Sequence, residues 1–204
     1  MMNVVDKSYF NKLAEKDPNR ICELAACNYD YVEKLYKITI WGDEYSIDPL
    51  REKIKCLTTI PFNTHEYFQI FIIHYLLLNK DIKVCNEWIS EKDIPGGSSF
   101  FTVSHKIPCD LISKKFENAL LKFKKHCEKL DGFILGMADA AYCFKITPQV
   151  PVAVLYWVGD DDFPPQSKIL FDKSISVFPL DVIFALAIEV CSRIGSRSNP
   201  YAQA

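Results

Sequence analysis

Long apolar runs are missing from this chain. The longest, FQIFIIHYLLL from Phe68 to Leu78, would rise only about 16 Å as a helix, roughly half the hydrocarbon core of a bilayer. His74 interrupts it. The run therefore reads as a buried core helix, and no membrane partner is expected. A dominant charge is missing too. Lys and Arg number 24 against 26 Asp and Glu, a formal −2, so no whole-protein field draws nucleic acid or anionic lipid, and neither is expected as a partner. Histidine is scarce, with four. No P-loop lysine-serine signature, dinucleotide glycine spacing or Gly-x-Ser-x-Gly elbow occurs, which leaves nucleotide-binding and hydrolase readings without support. The opening residues, MMNVVDKSYFNKLAEKD, hold no apolar stretch bounded by a small-residue cleavage site, so a cytoplasmic setting is expected. Repeats, linkers and low-complexity segments are also missing.

What is present suits a globular chain, 49% apolar and 25% charged. At 204 residues the expected organisation is one domain over 1–195, with a flexible tail over 196–204. Within it, N-terminal helices and a hairpin run to about 80, and a core spans about 88–194. The eight cysteines (Cys22, Cys27, Cys56, Cys85, Cys109, Cys127, Cys143 and Cys191) are scattered. Without an export signal they read as reduced thiols used as small apolar residues.

Asp17-Pro18 is a helix cap followed by a first-turn proline. YKITIWGDEYSID alternates Tyr36, Ile38 and Ile40 with Lys37 and Thr39, which predicts a hairpin turning at Gly42-Asp43. PLREKIK is ambiguous, and Thr64 is placed to cap the apolar helix. KVCNEWIS reads as a short strand or an extended segment. IPGGSSFFTVSHKIP, residues 94–108, is the least regular stretch. After it, Ile112, Phe116, Leu120, Phe123, Cys127 and Leu130 step by three and four, which predicts one helix ended by Gly132. FILGMADAAYCFKI and PVAVLYWVG predict neighbouring strands about a turn at 148–151. KILFDKS predicts a third strand, and a nearly all-apolar helix follows from about Leu180 to Ile194. The fold class is α+β, a mainly antiparallel sheet packed with several helices.

The C-terminal half resembles a known family. GGSSFFTVSHKIP, KLDGF followed by ADAAYCF, PQVPVAVLYWVGDDDFPPQSKILFD and LDVIFALAIEVCSRI stand in the order and spacing of domain of unknown function 3786. The resemblance covers Trp88 to Ile194 well and the N-terminal hairpin loosely. It departs from the family pattern at Val103 and Ala138, where glycine is common, and at Asp162, where glutamate is common. The resemblance implies a prokaryotic protein of anaerobes associated with corrinoid or methyl-transfer systems. It carries over no catalytic residues, and the cofactor is left open. The cysteine-rich iron–sulfur segment of some longer relatives has no counterpart in this sequence.

Two site readings follow. In the first, a small-molecule or cofactor ligand binds where Gly96, Gly97, His105, Asp139, Trp157, Asp160 and Asp162 converge. The Gly96-Gly97 loop would offer backbone N–H groups, and Trp157 with Phe163 and Phe171 would form a pocket wall. In the second, a metal-assisted enzyme uses Asp160 and Asp162, with Asp172 or Asp139, as oxygen ligands and His105 as the acid–base group. Against both, the first reading of Asp160 and its neighbours is a polar turn, set by Gly159 and by Pro164-Pro165. His74 reads as a hydrogen-bonded core histidine, His126 as solvated beside Lys124 and Lys125, and His65 as part of a helix start. Cys22 and Cys27 lack the second pair that structural zinc prefers. The lysines of the seam helix, Lys114, Lys115, Lys122, Lys124, Lys125 and Lys129, read as a solvated face.

Overall fold

The computed structural model describes residues 4–58 and 66–196. The Thr64 cap, the His65 assignment and nearly all of the expected tail lie outside them. The described residues form seven helices and two antiparallel sheets, an α+β fold.

Helix α1 (Lys7–Ala14) begins where Asp6 accepts from the Ser8 N–H. Helix α2 (Pro18–Ala25) begins where Asp17 accepts from the Asn19 N–H. In each case a carboxylate satisfies a donor that lacks a helical partner. The first sheet follows in chain order: β1 (Asn28–Asp30), β2 (Leu35–Ile40), β3 (Asp43–Asp48) and β4 (Lys53–Cys56). The turn of the predicted hairpin is Trp41-Gly42, one residue earlier than expected, because Ile40 pairs with Asp43. Both turn residues have positive φ, 47° and 81°, the geometry that matches the twist of a two-residue hairpin. PLREKIK resolves as a turn leading into β4, whose Ile54 pairs with Ile47.

Helix α3 (Phe68–Leu76) is the apolar run. The second sheet has the order β5-β9-β8-β7-β6, with β5 (Trp88–Ile89), β6 (Phe133–Leu135), β7 (Ala140–Thr147), β8 (Val150–Trp157) and β9 (Gln166–Asp172). KVCNEWIS thus contributes only two strand residues, and FILGMADAAYCFKI folds into two strands around Gly136–Asp139. Between β5 and β6 lie α4 (Gly97–Phe100), α5 (Asp110–Phe116) and α6 (Leu120–Lys129). The predicted seam helix is therefore broken. Glu117 adopts φ 49°, ψ −122°, which no helix accommodates, yet all six seam positions still face the core. Helix α7 (Leu180–Gly195) closes the fold and packs on α3 and α5.

One apolar cluster gathers residues from Val5 to Ile194, with β8 giving it Val152, Val154 and Tyr156. Each large side chain buried there contributes about 1.5–3 kcal/mol. The two sheets meet where the Trp41 N–H donates to the Ile146 carbonyl (2.8 Å). Behind this joint the buried Arg193 donates to the Trp41 carbonyl (2.9 Å) and Asp43 (2.7 Å), reaches Glu189 (3.3 Å), and lies over the Trp41 ring. A guanidinium taken out of water needs such a full set of partners.

Candidate functional site

The irregular stretch after β5 is shaped by its glycines. Gly96 has φ 79°, and a Cβ on Gly97 would stand 1.9 Å from the Glu91 carbonyl oxygen. Only glycine lets the chain pass that close. Beyond α4 the chain makes a 3-10 turn over Val103–His105 and reaches Cys109 at the head of α5. Strand β9 holds this loop from the other side, where Ser167 Oγ donates to the Cys109 carbonyl (2.6 Å).

Strand β5 covers β9 only at Phe171 and Asp172. The edge of β9 from Gln166 to Leu170 therefore has no strand partner on that side among the described residues. Between this edge and the 101–109 loop lies a hollow of about 480 Å³, within the range of small-molecule sites. Its walls are Phe101, Ile107, Ile169 and Trp157, the last paired with Gln166 across the β8–β9 ladder. Lys92, Lys106 and Lys168 border it, with Glu91 as the only lining carboxylate among the described residues. None of the three lysines forms an ion pair among the described residues.

Cys109 also lines the hollow. The adjacent Cys191 thiol holds the Cys109 thiol below its ordinary range; burial opposes this, and the Ile169 N–H adds to it. Burial pushes Cys191 itself well up. The carboxylates of Glu91 and Asp110 oppose the Cys109 shift as well, and a thiol lowered in this way gives the lining a polarisable group.

Of the residues expected to converge, Trp157 forms a wall of this hollow, while the others play neighbouring parts. Gly96 and Gly97 shape the loop behind it. His105 stacks on Phe100 (4.3 Å between ring centres) and meets the Phe184 ring edge-on, with Nδ1 at 3.2 Å from Ser104 Oγ. Asp139 accepts from the Val158 N–H (2.9 Å). Asp160 accepts from the N–H groups of Asp162 (3.0 Å) and Phe163 (2.8 Å), so these aspartates sit in a bend and not in a strand. Asn118, in the break between α5 and α6, accepts from the Gly159 N–H (2.7 Å). The polar-turn reading describes what Asp139 and Asp160 do: they fix the turn that presents Trp157.

Asp172 lies at the opposite end of β9 from Asp160 and Asp162, about 20 Å along the strand. It is buried, accepts from the N–H groups of Cys85 and Ser174, and caps the following 3-10 turn. Burial raises its carboxyl, but the bonds from Ser174, Cys85 and Asn86 outweigh that and leave it lowered. The proposed oxygen-ligand set thus does not assemble, and among the described residues no three metal-ligating side chains cluster.

Two histidine readings are corrected. His126 is half-buried against Phe116, with Nε2 at 3.2 Å from Lys115 Nζ. Lys115 leaves the lysine face to donate to the Ile194 carbonyl (2.7 Å). His74 is half-buried against Tyr9, but its Nε2 has no hydrogen-bond partner among the described residues. The lysines and Cys109 around the hollow escaped sequence reasoning because they come from three separate segments without a motif. The signal that existed was alternation in β9, which sets Gln166 and Lys168 on one face.

No helix among the described residues is long and apolar enough to cross a membrane. The family model described as Domain of unknown function (DUF3786) matches residues 17–193, so the chain belongs to that family. No curated protein and no solved structure matches the chain.

Proposed function

We propose that this member of the DUF3786 family binds a small anionic ligand with an apolar or planar body in the hollow between the 101–109 loop and the edge of β9. One observation carries the reading: three lysines and a single carboxylate border a cavity whose apolar walls include Trp157, Phe101, Ile107 and Ile169 and whose neutral polar lining includes Thr102, Gln166 and Ser167. Apolar walls supply affinity through removed surface, and the ammonium groups select charge and orientation. Cys109 in the lining gives such a ligand a polarisable contact. A hollow of this size takes an edge or substituent of a corrinoid, the ligand class that the family resemblance implies, and not the whole macrocycle. The free thiols support a reducing, cytoplasmic setting, and the shared apolar cluster supports one domain over 1–195.

The test uses 8-anilinonaphthalene-1-sulfonate, an anionic aromatic probe, titrated by fluorescence into the folded protein. Replacing Lys92, Lys106 and Lys168 together by Gln should weaken binding by roughly tenfold, taking about 0.5 kcal/mol for each exposed attraction. Replacing Lys122, Lys125 and Lys129 on α6 should leave it unchanged. Equal affinity in the two triple variants would place the probe elsewhere and remove the proposal.

A further inference from the structure

Helix α2 ends in a turn that brings two thiols together. Ala26 adopts a left-handed conformation (φ 50°), and the Cys27 N–H donates to the Cys22 carbonyl (3.2 Å). The chain therefore folds back on the last turn of the helix, and the two sulfurs stand 3.6 Å apart, with the Cys27 thiol directed at Cys22. Both are free; Cys22 is half-exposed and Cys27 buried. A disulfide bond is about 2.05 Å long, so closing the gap requires a movement of about 1.6 Å, the scale of a side-chain rotation. Burial, with Cys22 beside it, raises the Cys27 thiol above its ordinary range. That suits a resolving partner which reacts only after its neighbour has been modified.

We propose that Cys22 and Cys27 form a redox dithiol that small-molecule disulfides, such as glutathione disulfide, oxidise to an intramolecular bond. In the first step the Cys22 thiolate attacks one sulfur of glutathione disulfide. The S–S bond of the oxidant breaks, a mixed disulfide forms on Cys22, and one glutathione leaves as thiolate and takes up a proton. In the second step Cys27 gives up its proton and attacks the Cys22 sulfur, and the second glutathione leaves. The protein loses two electrons and two protons, and one glutathione disulfide becomes two glutathiones. The product ties the end of α2 to the start of β1. This site is separate from the hollow at β9, and either can fail without the other.

The experiment incubates the folded, reduced protein with glutathione disulfide, quenches with acid and maps thiols by mass spectrometry after cleavage at Glu23. In the expected product the Cys22 and Cys27 peptides remain joined and together have lost two hydrogens, whatever adduct exposed Cys85 carries. In the Cys27→Ser variant the reaction should stop at a glutathione adduct on Cys22. In Cys22→Ser, buried Cys27 should stay unmodified while exposed Cys85 reacts. Closure in the folded protein should be at least about tenfold faster than in concentrated urea, since the fold holds the sulfurs together. A stable glutathione adduct on wild-type Cys22, an internal bond only between Cys109 and Cys191, or equal closure rates in folded and unfolded chains would each overturn the proposal.

Discussion

His126 shows how a single side chain ties local packing to solution behaviour. Burial, reinforced by the charge of Lys115 and opposed by a bond to the Arg193 carbonyl, lowers its imidazole from 6.5 to about 4. Burial also brings Lys115 down to about 8. Below pH 6.5 the unfolded chain takes up a proton at this position that the folded chain refuses, so stability falls as the pH drops toward about 4. Replacing His126 by Gln should flatten that part of the profile. Urea midpoints of both proteins across this range check it, and parallel profiles would count against the assignment. No sequence pattern pointed there: Lys124 and Lys125 suggested a solvated neighbourhood, and only the turn of α6 on Phe116 reveals the burial.

At the scale of elements, the break between α5 and α6 matters most, because Asn118 within it binds the Gly159 N–H and the Glu117 carbonyl accepts from Tyr156. The apolar periodicity was legible in the sequence and the seam does face the core, so spacing alone gave no sign of an interruption. Tertiary bonds to the β8–β9 turn compensate for a backbone that costs about 1–3 kcal/mol at a non-glycine residue. Glu117 is exposed, so its side chain offers little to offset that strain. Glu117→Gly should raise stability by about 1 kcal/mol, read as a higher urea midpoint. A lower midpoint would show the side chain to matter more than the strain. Strands β7, β8 and β9 were readable from their alternation and apolar runs. The two-residue β5 was less so, since its pairing with β9 rests on Lys173 N–H to Glu87 and Cys85 N–H to Asp172, contacts about 87 residues apart in the chain.

Across the whole molecule, the buried Arg193 binds the hairpin turn at Trp41 and Asp43 to the last helix. Replacing it by Leu leaves buried carboxylates without their cation and should cost about 3–5 kcal/mol. If residues 1–195 form one cooperative unit, circular dichroism and tryptophan fluorescence should still report coincident urea transitions in this variant. Two separated transitions would divide the chain into two units. Sequence reasoning reached the fold class and the family, because strand alternation and motif order are local properties. It reached only one wall of the hollow, Trp157, because Lys92, Lys106, Cys109 and Lys168 meet through folding alone.

The most direct measurement labels the three tryptophans, Trp41, Trp88 and Trp157, with 5-fluorotryptophan. Fluorine resonances, assigned by Trp→Phe substitution, are followed while 8-anilinonaphthalene-1-sulfonate is added. Binding in the hollow predicts that the Trp157 resonance moves with saturation while Trp41, buried under Arg193, stays in place. A saturable shift of Trp41 or Trp88 with Trp157 unmoved would contradict it.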